Sequence, residues 1–518
     1  MKLREPDFIT VYTEEGIKSD KTGVDVKFKS CEKGLKTYIT SDYIPVKYIK
    51  LRWNFLCYEK RRDIKILGDD WERAYGTLEW RGIFPERCMP WYCLVSDGKY
   101  TESFGVAVRP SALCFWQYDS NGIILWLDVR CGGKGVELNG RTLEACEIIF
   151  AEYSGVSAYE AGKKFCRLMS DKPKTVSSPV YGSNNWYYAY GKFTRDEVIQ
   201  DTKQLMALCS DNKNIPYMVI DDGWQKYNCD APWTPRDSFG SVSAMAEEIA
   251  SLGAIPGIWI RPLADYHNET SLIKPKYRLE REKNCLDPTN GDVLEYVKQL
   301  TRQIAADGYR LIKHDYTTFD IFGNWGCFCP NTLTKDGWAF GNRQITSAEA
   351  VLNLYSAIRE AAGDAVIIGC NTVSHLSAGI FELNRTGDDT SGFDWDRTRK
   401  FGVNTLAFRG IQHKVFYECD ADCVGITGKI PWELNREWLR LLSMSGTPLF
   451  VSCKPGICDA RQLEDIKIAF ARASLQTDEC LPLDWMNNAY PERYLINGKE
   501  EEFKWYNENP TDVFNSIV

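Results

Sequence analysis

From about residue 180 the chain alternates between short apolar runs and longer amphipathic ones, and this alternation constrains the fold more than any other feature. The strand-like runs are SNNWYY, IPYMVIDDGW, AIPGIWIRP, YRLIKHDY, AVIIGCN, FELNRTGDD, HKVFYECDAD and TPLFVSC. Helical patterns separate them. In DVLEYVKQLTRQIAADG, Val293, Val297, Leu300 and Ile304 share one face, and Gly308 is placed to end the helix. TSAEAVLNLYSAIREAAG closes in the same way at Gly363. Eight strands with intervening helices over about 280 residues predict an α/β fold, a (β/α)8 TIM barrel. An open doubly wound sheet is the alternative, but no glycine-rich fingerprint follows the first strand.

Upstream the texture is different. FITVYTEEG, GVDVKFKS, YIPVKYIKLRW, ESFGVAVRP and GIILWLDVR are short alternating runs at close spacing, which read as an antiparallel β-sandwich. The Pro/Ser-rich stretch DKPKTVSSPVYG marks the boundary. The expected division is an N-terminal β-sandwich over 1–175, the barrel over 176–465, and a small C-terminal β-rich appendage over 466–518.

Composition removes several function classes. No stretch of about 18 apolar residues is present, so a membrane span is not expected. A net charge of −8 without a basic stripe argues against nucleic acid as partner. The 19 cysteines are odd in number and scattered, and the opening MKLREPDFITVYTEEG has no apolar signal core. A reducing cytoplasm is therefore the expected location. The 17 Trp and 27 Tyr fit either a large aromatic core or a sugar site, because a pyranose offers an apolar face of C–H groups to a ring.

In a barrel the site forms at the C-terminal ends of the strands, and four of those ends carry acids. They are Asp221 and Asp222, Asp315, Asp388 and Asp389, and Asp420 and Asp422, with Lys313, Arg261 and Arg385 nearby. With only His267, His314, His375 and His413 and no paired spacing, a metal site is not expected, although an oxygen-only magnesium site stays open. Cys327, Cys329, Cys419 and Cys423 lack a matching second half for zinc and read as ordinary thiols. Glycoside hydrolysis needs only two carboxyl groups flanking the scissile bond, plus side chains that hold the sugar, and no cofactor.

The ordered set LGDDWERAYG, NNWYYAYGKF, VIDDGW, IPGIWIRP, GYRLIKHDY, IIGCN, RTGDDTSGFDW and YECDADC resembles the α-galactosidases of glycoside hydrolase clan D, family 36 (melibiase-like), over roughly residues 60–455. The resemblance implies a β-supersandwich, a catalytic (β/α)8 barrel and a small C-terminal β domain. It also implies a retaining exo-α-galactosidase acting on small α-galactoside oligosaccharides, with oligomerisation possible. Carried over by position, Asp315 is the nucleophile and Asp389 the general acid/base. Lys313 and Arg385 bind sugar hydroxyls, Asp221 and Asp222 clamp the 4-OH and 6-OH, and Trp186, Trp259, Trp71 and Cys370 line the subsite. α-N-Acetylgalactosaminidase activity and galactosyl transfer of the raffinose-synthase type are the neighbouring activities. Asp388 beside Asp389 leaves the acid/base position open by one residue. Lys313 and Asp315 should share a strand face, and Arg385 is expected not to pair tightly with Asp389, since such a pair would hold the acid ionised. His314 reads as structural, and Arg261 stands where a small or apolar residue is usual in the family.

Overall fold

The computed structural model describes residues 3–18, 23–55, 63–328, 331–477 and 479–506. Cys329 and the last residues of the C-terminal appendage lie outside them. Two six-stranded antiparallel sheets occupy the first 154 residues. Strict alternation makes them: Leu35–Ser41 buries every second side chain, so one face of the strand is apolar and must be covered. Rings from the two inner faces meet, with Trp53 5.5 Å from Phe150 and Phe104 6.3 Å from Trp116, and the pair is sandwich-like as expected. A helix, Ala158–Met169, follows behind a Ser157/Glu160 capping box.

The parallel strands come next: β1 (Tyr181–Asn184), β2 (Tyr217–Ile220), β3 (Ile255–Ile260), β4 (Leu311–His314), β5 (Val366–Gly369), β6 (Leu383–Arg385), β7 (Glu418–Asp420), β8 (Cys423–Ile426) and β9 (Leu449–Cys453). Their order in the sheet is β7-β6-β5-β4-β3-β2-β1-β9-β8. The two ends of that order are consecutive pieces of chain. β7 pairs Asp420 with Arg385 on one side, and β8 pairs Cys423 with Phe450 on the other. Only Ala421 and Asp422 separate them, and Asp422 takes φ +71° at the corner. The sequence showed one strand here. The structure breaks it in two, and the sheet curls so far that its last two members meet through this corner.

Inside the curl, Val219, Leu311, Ile368, Leu383, Cys423 and Phe450 form a buried cluster separate from the main core. Outside it run α1 (Arg195–Leu208), α2 (Val242–Ser251), α3 (Gly291–Ala306), α4 (Ser347–Ala361), α5 (Trp432–Met444) and α6 (Ala460–Ala473). On α3, Val293, Val297 and Ile304 are buried as predicted. Leu300 is only half-buried, and Thr301 takes the inner place by giving its hydroxyl to the Val297 carbonyl at 2.8 Å. The last strands of the described residues form a three-stranded antiparallel sheet, Cys480–Pro482, Arg493–Ile496 and Lys499–Glu502. Trp485 beside it packs on Trp80, Tyr159 and Phe408, so this sheet rests on both preceding parts. No helix among the described residues is long and apolar enough to cross a membrane.

Candidate functional site

The parallel strands put their polar residues on one rim. Period-2 alternation in β4 sends Lys313 and Asp315 to the inside and His314 to the helices, where it packs on Phe381 and on Tyr355 of α4. Among the described residues His314 has no hydrogen-bond partner on either ring nitrogen, and burial pushes it down to about 4, so it is neutral packing material. Asp315 leaves β4 half-enclosed by donors: Trp259 Nε1 donates to Oδ2 at 3.2 Å, and the Tyr316 amide donates to Oδ1 at 2.7 Å. Both contacts fix the orientation of the carboxylate.

Lys313 Nζ lies 2.7 Å from Asp221 Oδ2, which also accepts from Asn184 Nδ2 at 2.7 Å. Burial works against the ammonium charge, but Asp221 together with Asp315 and the other groups around it outweighs burial and holds Lys313 well above the ordinary lysine value. Asp222 faces the other way. Its Oδ1 accepts from the Cys229 amide at 2.8 Å and its Oδ2 from the Cys229 thiol at 3.0 Å, and burial raises its pKa. The two neighbouring acids therefore have separate environments.

Arg385, the last residue of β6, is fully buried and touches three groups. Nη1 reaches Cys370 Sγ at 3.3 Å and Asp422 Oδ1 at 3.2 Å, and Nη2 donates to Asp389 Oδ1 at 3.2 Å. The last contact corrects the sequence expectation. Arg385 and Asp389 do pair, because the four-residue step off the strand end returns the chain over the guanidinium. A second cation reinforces the pair: Arg73 Nη1 sits 3.7 Å from Asp389, while its Nη2 binds Asp388 at 3.0 Å. Burial favours the neutral Asp389, yet Arg385, Arg73 and Lys313 together hold it well below the usual carboxylate range.

Arg73 was not among the residues singled out in the sequence. It arrives on a segment of the N-terminal part that runs beside β6: Ala74 N donates to Thr386 O at 2.8 Å and Asp388 N to Ala74 O at 3.2 Å. Arg409 straps this segment down, with Nε on Asp69 Oδ1 at 2.9 Å and Nη groups on the carbonyls of Asp70, Glu72 and Thr386. Trp71 belongs to the same segment, but its ring contacts are Trp91 at 5.2 Å and Phe115 at 6.0 Å, within the sandwich. Trp186 stands at the start of the short helix after β1, 5.0 Å from Tyr190. Asp422 and Tyr187 were also missed as partners. The Tyr187 hydroxyl donates to Asp422, which accepts as well from the amide and hydroxyl of Thr390. Asp420, buried beneath, is pushed up to about 6 by burial.

Arg261 is occupied structurally. Its Nη2 binds Asp320 Oδ1 at 2.6 Å, Nη1 donates to the Cys229 carbonyl at 3.2 Å, and its guanidinium lies 4.2 Å from the Tyr316 ring centroid. Both partners are buried, so Arg261→Met leaves Asp320 without its cation. Urea unfolding is expected to show a loss of about 3–5 kcal/mol, most of it recovered in the Arg261→Met/Asp320→Leu double variant. A single variant as stable as the parent would remove this pair from the account.

No protein-family model matches the chain. Solved structures do resemble it. An α-galactosidase from Thermus thermophilus, in complex with p-nitrophenyl α-D-galactopyranoside, superposes with a TM-score of 0.61 at 15% identity, over 95% of this chain and 98% of that one. The family 36 α-galactosidase AgaA from Geobacillus stearothermophilus gives 0.57 at 13% identity, over 90% and 75%. The galactosidase domain of the α-galactosidase–sucrose kinase AgaSK gives 0.58 at 15%, over 90% and 74%. In overall architecture, from sandwich to curled parallel sheet, this chain shares the fold of the family 36 α-galactosidases.

Proposed function

We propose that this protein is a retaining exo-α-galactosidase of glycoside hydrolase family 36 that releases terminal galactose from small α-galactosides. The observation that carries the reading is the set Asp315, Lys313–Asp221 and Arg385–Asp389 on one strand-end rim, in a fold shared with α-galactosidases. The division at 175/176 and a cytoplasmic location belong to the same proposal, with the second boundary moved past α6, which runs through 465/466 from Ala460 to Ala473.

Asp315 attacks the anomeric carbon and forms a galactosyl ester, while Asp389 gives its proton to the departing oxygen. Water then attacks the ester, and Asp389 takes the proton back. In the free protein Asp389 is ionised. Sugar hydroxyls that draw Arg385 towards themselves, and the expulsion of water around a side chain now 36% exposed, both favour its protonated form. Lys313 and Asp221 offer a donor and acceptors to ring hydroxyls, and the Trp259 and Trp186 rings offer apolar walls. A screen of aryl α- and β-galactosides and the N-acetyl form, with NMR of the first product, tests the reading. Turnover of the α-galactoside with α-galactose appearing first is expected; β-galactose first, or preference for the N-acetyl form, would overturn it.

The depressed Asp389 gives a pH prediction. A general acid works only while protonated, so kcat/KM falls as pH rises through its free-enzyme pKa. Arg73→Met removes one of the cations that lower this pKa. The basic limb should therefore move to higher pH, by about one unit. A limb that stays in place would show that Arg73 does not act on the acid.

A further inference from the structure

Two rings remain half-open to solvent beside Asp389. Tyr190 closes the short helix after β1 with φ +44° and is 39% exposed; Phe393, on the loop after β6, is 47% exposed. Their centroids lie 5.7 Å apart with planes at 52°, and Trp186 continues the row on the inner side of Tyr190. The short helix that ends at Tyr190 and the loop that carries Phe393 meet at Asp422, which accepts from the Tyr187 hydroxyl and the Thr390 amide and lies 3.2 Å from the Arg385 guanidinium that also binds Asp389.

The loop that carries Phe393 is anchored on both sides of its turn. Thr390 gives its amide and hydroxyl to Asp422 at 2.8 and 2.9 Å, and the Gly392 carbonyl accepts the Thr427 hydroxyl. Gly392 takes φ +73°, and a Cβ there would lie 2.4 Å from the Gly425 carbonyl, so the backbone is pressed against β8. A fixed backbone that holds an apolar ring towards water, next to another exposed ring, is the arrangement of a binding platform rather than of a core.

We propose that Tyr190 and Phe393 form the platform for the sugar on the leaving side of the scissile bond, which makes galactosyl saccharides with a pyranose aglycone the preferred substrates over galactosides with small leaving groups. This rests on Asp389 as proton donor. The donor must touch the glycosidic oxygen, so rings beside it on the solvent side face the aglycone and not the galactose. A pyranose lays its C–H face on such rings while its hydroxyls stay in water.

The test compares kcat/KM on melibiose, whose aglycone is a pyranose, with that on α-galactosyl fluoride, whose leaving group has no ring. For Tyr190→Ala and Phe393→Ala the melibiose-to-fluoride ratio should fall about tenfold each, the scale of one lost ring contact. Phe393→Trp should keep the ratio. Tyr43→Ala, which alters a 93% exposed ring on a remote turn, should leave both rates as they are. An unchanged ratio in both alanine variants overturns the platform, as does an equal loss on the two substrates, which would mark a structural role. A parent protein inert on α-galactosyl fluoride would instead overturn the galactosidase reading, and the platform with it.

Discussion

Asp315→Ala is expected to lose at least about 10⁴-fold in kcat/KM on every galactoside, the scale of removing a catalytic nucleophile. Trp259 Nε1 and the Tyr316 amide, which now bind the carboxylate, would face a vacated space lined with donors. An anion of azide size fits the chemistry of that space. Azide attacks the anomeric carbon directly, the leaving oxygen takes the proton of Asp389, and the product is β-galactosyl azide. Its absence together with unimpaired hydrolysis would remove Asp315 from the reaction.

Asp389→Ala should behave in the opposite sense. The ester can still form from an activated aryl galactoside, whose leaving group needs no proton, so such substrates should lose much less than melibiose does. Azide then attacks the ester without a base, and two inversions give α-galactosyl azide. On natural galactosides the loss should reach about 10²–10⁴-fold, the range for general acid–base catalysis. Asp388→Ala discriminates between the neighbours. Asp388 is tied to Arg73 at 3.0 Å and to Arg397 at 3.4 Å, whereas Asp389 faces Arg385. Removing Asp388 leaves Arg73 to bear on Asp389 alone. Natural turnover should persist with the basic limb at lower pH, the reverse of Arg73→Met. Azide-rescued α product from Asp388→Ala, with Asp389→Ala still active on melibiose, would place the acid one residue earlier.

The strand-end acids were readable because the position of a residue on a parallel strand is a local property. A run of apolar residues fixes the strand, and period 2 fixes the face, so Lys313 and Asp315 could be assigned inward and His314 outward from spacing alone. Arg73 could not be assigned that way. Its approach to Asp389 depends on the sandwich docking beside β6, and no local pattern encodes that docking. The Arg385–Asp389 pair was not legible for a related reason: a proton donor on its own works against a neighbouring cation, yet the fold surrounds Asp389 with Arg385, Arg73 and Lys313. Trp71 packs on Trp91 and Phe115, and from the same short segment Arg73, which no motif singled out, reaches Asp388 and Asp389. The broken seventh strand was invisible because YECDADC alternates as one strand would; the corner at Asp422 is set by partners on two different neighbours.

The strap between Asp69 and Arg409 joins residues 340 positions apart, and the Glu72–Asn371 hydrogen bond spans 299. During synthesis the ribosome delivers one end of each contact long before the other. At about 5–20 residues per second, Asp69 waits on the order of 17–70 s for Arg409. Through nearly all of that interval the segment carrying Arg73 has no β6 to lie against, so the electrostatic setting of Asp389 is completed only after both β6 and Arg409 have been made. A nascent chain truncated before Arg409 therefore carries the whole sandwich and most of the rim acids, and still lacks the buried cation that fastens one to the other.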